Sequence, residues 1–137
     1  ENAFHLGKIV DGHSIKLMIN FFGVTVAHAM AEAFAMTDQL GLDCDKLYSA
    51  ISAEPLHSSI MDFVKAYAVK KDPNQLAISI KNADKDVRYY NQMAQSAGVD
   101  SVMLKGAFSA LDTAVAKGRG EHIVSQMVDF YADQFTR

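Results

Sequence analysis

The chain has 137 residues, 50% hydrophobic and 21% charged, with two prolines and a net charge of −3. That length suits one domain with a real core. The composition excludes a disordered chain, and the acidic balance argues against a dedicated nucleic-acid binder. Cys44 is the single cysteine, so no intrachain disulfide forms, in keeping with a reducing, cytoplasmic setting. No basic segment followed by an apolar run opens the sequence. The first residue is Glu1 and not Met, which reads as a chain processed or excised from something longer.

In chain order, the strongest pattern runs from Gly12 to Leu40 without proline, with Asp11 as a plausible N-cap and Gly41 as a C-terminal stop. Lys16, Asn20, Thr25, His28 and Glu32 share about half the helical circumference, and the rest is apolar. Most of this helix must therefore be covered by protein. A membrane span is the rival reading, but Leu17 to Ala31 is interrupted by Asn20, Thr25 and His28 and falls short of about 20 apolar residues. No membrane partner is expected.

Asp43 caps a short helix carrying Leu47, Tyr48 and Ile51, which ends near Pro55. Ser58 or Ser59 opens the next, with Ile60, Phe63, Val64 and Tyr67 at helical spacing and Asp72-Pro73 closing it. A more polar helix follows from about Ile78 to Ala97, stopped by Gly98. Ser101 starts another, with a stripe of Leu104, Phe108, Leu111 and Val115 before Gly118. Val124, Met127, Tyr131 and Phe135 mark a terminal helix. No stretch alternates with a period of two between hairpin turns. The expected architecture is one all-α domain, about six helices around one long central helix, over residues 1–137.

Lys16 and Asn20 lie one helical turn apart, so they share a face. In a cleft, the ammonium could give a proton to a developing alkoxide and the amide could hold a substrate hydroxyl or carboxylate. On spacing alone, a snorkelling lysine beside a surface asparagine is the preferred reading. Lys81, Lys85 and Arg88 form a basic stripe that could meet a phosphate, or simply a solvated face in which Asp84 pairs with Arg88. His28 and Glu32 could share a metal, but a third ligand at helical spacing is missing. A satisfied polar pair is preferred, and no metal is expected. Cys44 has no histidine pattern around it that argues for nucleophilic catalysis. No G-x-G-x-x-G follows a strand, so no pyrophosphate cradle is expected here.

The segment His5-Leu6-Gly7-Lys8-Ile9-Val10-Asp11-Gly12-His13-Ser14-Ile15-Lys16-Leu17-Met18-Ile19-Asn20 resembles the glycine-containing turn, lysine and asparagine of the β-hydroxyacid dehydrogenases of 3-hydroxyisobutyrate dehydrogenase type. Ala29-Met30-Ala31-Glu32-Ala33 and Gln39-Leu40-Gly41-Leu42-Asp43 are similar to that family's helix and its exit, and Lys85-Asp86-Val87 resembles its Lys-Asp-Leu signature. Val10 and Ile19 depart from the family pattern, which often has glycine and a first asparagine there.

The resemblance implies a helical C-terminal domain like that of 6-phosphogluconate dehydrogenase, separated from an N-terminal Rossmann domain. It implies Lys16 as catalytic acid/base, Asn20 with Gly12 and His13 as substrate contacts, and Lys85 as a contact to an NAD or NADP cofactor held mainly by the other domain. The substrate would be a small hydroxyacid, 3-hydroxyisobutyrate or of tartronate-semialdehyde type, and the assembly at least a dimer. The alternative is a non-catalytic helical interaction module.

Overall fold

The structure, a computed structural model, describes residues 9–136, and the side chains of residues 12–136. Among these residues six α-helices follow one another: α1 (Ile9–Gln39), α2 (Cys44–Ser52), α3 (Ser59–Lys70), α4 (Ile80–Ser96), α5 (Val102–Ala116) and α6 (Met127–Phe135). A 3-10 turn, Val124–Gln126, leads into α6. The all-α expectation holds.

α1 runs for 31 residues, about 46 Å at 1.5 Å per residue. By length and composition its Gly12–Gln39 stretch could cross a membrane. Here it is the central helix, and every other helix packs against it. Leu17, Val24, Ala27, Ala31, Phe34 and Ala35 form its buried side. Of these, Val24, Ala27, Ala31 and Phe34 join Val64 of α3, Ile80 and Val87 of α4, Leu111 of α5 and Met127 of α6 in one core.

Local chemistry sets the helix ends. Asp43 and Ser58 accept the Asp45 and Met61 amides at 2.8 and 3.3 Å and so cap α2 and α3. Gly41 (φ +70°) and Gly98 (φ +74°) end α1 and α4. In both, the next amide reaches back, Leu42 N to Thr37 O at 2.9 Å and Val99 N to Ala94 O at 2.8 Å. Two ends differ from expectation. Asp11 lies inside α1, whose described part already includes Ile9. α3 stops at Lys71 in the left-handed region (φ 56°), just before Asp72-Pro73.

The start of α4 is held by a distant segment. The Ile80 and Lys81 amides donate to the carbonyls of His122 (2.7 Å) and Gly120 (2.9 Å), and the Val124 amide donates to Ile78 O at 2.9 Å. Ser79 Oγ takes the Asn82 amide at 3.2 Å.

The cover over α1 is incomplete. Met18, Phe22, Met36 and Leu40 lie on the uncovered side, with Phe22 69% and Leu40 65% exposed. Three other large apolar residues of α1, Phe21, Met30 and Phe34, do not contribute to that surface. Phe34 is fully buried, and Phe21 and Met30 pack on the core.

Candidate functional site at the junction of α1 and α4

Gly12, His13, Lys16 and Asn20 all sit on the first turns of α1. Gly12 is helical, not in the turn that the resemblance implies. His5 to Lys8 lie outside the described residues, as does the side chain of Val10. His13 and Lys16 are exposed and Asn20 is half-buried. Lys16 and Asn20 are about 6 Å apart along the axis, as four residues at 1.5 Å require.

α4 crosses α1 at this level, where the Phe21 and Tyr90 rings stack at 4.2 Å and 7°. Below Asn20, a cavity of about 230 Å³ opens between the two helices and their neighbours. α1 contributes Asn20, Gly23 and Ala27, α4 contributes Asp86, and Ile60, Ile78 and Val124 close the sides. The expected substrate contact Asn20 thus shares a wall with the residue next to Lys85. Gly12, His13 and Lys16 are not in that wall.

The basic stripe of α4 divides. Lys81 is paired with Glu121, while Arg88 is held by Asp84 at 2.8 Å and Asp112 at 2.6 Å. Lys85 is exposed and in no ion pair among the described residues. It is therefore the cation of the three left to meet an external anion. Such an anion gains nothing from the end of α4, because its first amides already donate to Gly120 and His122. The residues present fit a cofactor that one lysine side chain reaches.

Sequence reasoning missed the cavity itself. Its signal was Gly23, a glycine inside a helix, where glycine costs about 1 kcal/mol relative to alanine. The backbone there is ordinary helix, and a Cβ would meet only Ile60 Cδ1 at 3.5 Å, a normal contact. Neither conformation nor crowding requires the glycine.

His28 corrects another expectation. It is 4% exposed, neither ring nitrogen has a hydrogen-bond partner among the described residues, and it lies edge-on to Tyr131 at 6.0 Å. Glu32, its supposed partner, is exposed. Burial pushes the imidazole down to about 4. Cys44 is also inert. Its thiol is buried and donates to Phe34 O at 3.6 Å and Asp38 Oδ1 at 3.4 Å. Burial and Asp38 push it up to about 11, away from the reactive thiolate.

A sequence profile described as NAD-binding of NADP-dependent 3-hydroxyisobutyrate dehydrogenase matches residues 11–131. Glyoxylate/succinic semialdehyde reductase 2, chloroplastic, of Arabidopsis thaliana is 21% identical over 94% of this chain and 36% of that protein. Its counterpart reductase 1 is 23% identical over 100% of this chain and 46% of its own length. The chain therefore spans less than half of the curated relatives it matches. Among solved structures, 3-hydroxyisobutyrate dehydrogenase from Salmonella typhimurium superposes with a TM-score of 0.80 at 18% identity, over 88% of this chain and 42% of that one. The Mycobacterium tuberculosis 3-hydroxyisobutyrate dehydrogenase with L-serine gives 0.74 at 18%, over 93% and 45%. At such identity these two establish the fold.

Proposed function

Since this chain belongs to the NAD-binding family of NADP-dependent 3-hydroxyisobutyrate dehydrogenase, we propose that it is the helical, substrate-side part of an NAD(P)-dependent oxidoreductase acting on a small β-hydroxyacid. A Rossmann domain would precede it and hold most of the cofactor. The observation that carries this reading is the placement of Lys16 and Asn20 one turn apart on α1, with Asn20 on the same cavity as Asp86, next to the unpaired Lys85.

The nicotinamide supplies the hydride exchange when bound. Lys16 takes the hydroxyl proton as the carbinol is oxidised, or returns it on reduction. Asn20 orients the substrate by hydrogen bonds, with Gly12 and His13 beside it at the start of α1. Lys85 meets the cofactor from α4. The whole protein, given 3-hydroxyisobutyrate with NAD or NADP, should form reduced nicotinamide, read by its absorbance. Residues 1–137 alone should form none. A whole protein inert towards every small β-hydroxyacid would leave the helical interaction module instead.

A cytoplasmic protein fits the lone thiol of Cys44. The protein should also be at least dimeric, because Met18, Phe22, Met36 and Leu40 leave an apolar face open along α1. Isologous pairing is the default for such a face. Light scattering should give twice the chain mass or more across micromolar concentrations. A strict monomer would refute self-association.

A further inference from the structure

The cavity beneath Asn20 has an uneven lining. Gly23, Ala27, Ile60, Ile78 and Val124 make it apolar, and Asn20 and Asp86 are its polar groups. A carboxylate entering it would face Asp86, a like charge, so the acid group of a bound hydroxyacid must stay outside, on the Lys16 side of Asn20. What remains to fill an apolar cavity is carbon. Gly23 points the same way. A methyl group would fit at its position without a clash and would favour the helix, so the missing side chain leaves space that the fold does not need.

We infer that this cavity receives the carbon substituent of the β-hydroxyacid and takes an apolar branch larger than methyl, in preference to hydrogen or hydroxymethyl. This rests on the oxidoreductase reading and narrows its substrate class. Gly23, with Ala27 one turn on, sets the depth. A hydroxymethyl group could donate its proton to Asp86, but it would leave the walls formed by Ile60, Ile78 and Val124 without the contacts that a larger carbon branch makes.

The test uses the whole protein and a series of β-hydroxyacids whose 2-substituent runs through hydrogen, methyl, ethyl and isopropyl, with hydroxymethyl as the polar comparison. In the wild type, kcat/KM should rise along the alkyl series, by about 10-fold or more per added carbon until the cavity is full. Gly23→Val should lower the isopropyl-to-methyl ratio by at least about 10-fold. Gly23→Ala should lower it less while keeping or raising the thermal midpoint, which guards against a misfolded valine variant. A wild type that prefers hydrogen or hydroxymethyl overturns the inference and leaves the oxidoreductase standing. So does a ratio that neither variant moves. A protein that turns over none of the series overturns both.

Discussion

In the whole protein, Lys16→Ala should lower kcat by about 10²–10⁴-fold, the usual contribution of a positioned acid/base. Two features make the experiment clean. Lys16 is exposed and in no ion pair among the described residues, so its removal leaves no charge stranded. Alanine is also the best helix former, and α1 should keep its shape, with an unchanged circular dichroism spectrum. Lys16→Arg should be almost as poor, because a guanidinium hardly gives up its proton. A variant with wild-type turnover would remove Lys16 from the proton transfer.

Urea unfolding of His28→Leu should show a chain more stable than the wild type at pH 7, by about 1–3 kcal/mol, since it removes buried nitrogens without partners. The larger effect is on pH. In the unfolded chain His28 takes up a proton near pH 6.5, whereas in the fold it does so only near 4. Between those values the unfolded state holds the extra proton, so wild-type stability falls as pH falls, by about 3 kcal/mol in all. Below pH 4 both states are protonated and the loss levels off. The leucine variant lacks this component. The gap between the two proteins should therefore widen steadily from pH 6.5 down to 4. Parallel curves across that window would show that the folded imidazole finds a partner after all.

The helix ends were legible because capping is local. Asp43, Ser58, Gly41 and Gly98 each act within a few residues of themselves, and the sequence states those neighbours. Asp11 misled because the positive end of a helix favours an aspartate in its first turn as well as at the cap. What could not be read was which arc of α1 would be covered. Phe21 and Phe22 are adjacent, yet one stacks on Tyr90 and the other faces outward. Spacing set His28 beside Glu32, but α6 arrives from the far end of the chain and takes the histidine beneath Tyr131. The candidate site was half legible. Lys16 and Asn20 followed from one helix, whereas spacing left Lys85 among three equivalent cations and only the family resemblance singled it out. The acids that neutralise the other two include Glu121 and Asp112, which only the fold brings near. The cavity, assembled from α1, α3, α4 and the segments beside them, had no local signature beyond Gly23.

The packing of the first helix against the last has a consequence during synthesis. Roughly 90 residues separate the end of α1 at Gln39 from the start of α6 at Met127. At about 5–20 residues per second, a ribosome needs roughly 5–20 s to deliver α6 after α1 is complete. Throughout that interval the α1 surface destined for α6 has no native cover, and for most of it the carbonyls of Gly120 and His122 that hold the start of α4 do not yet exist. The nascent chain thus presents a long apolar helix to the cell for seconds, and chaperones that hold such surfaces should meet this protein while it is still being made.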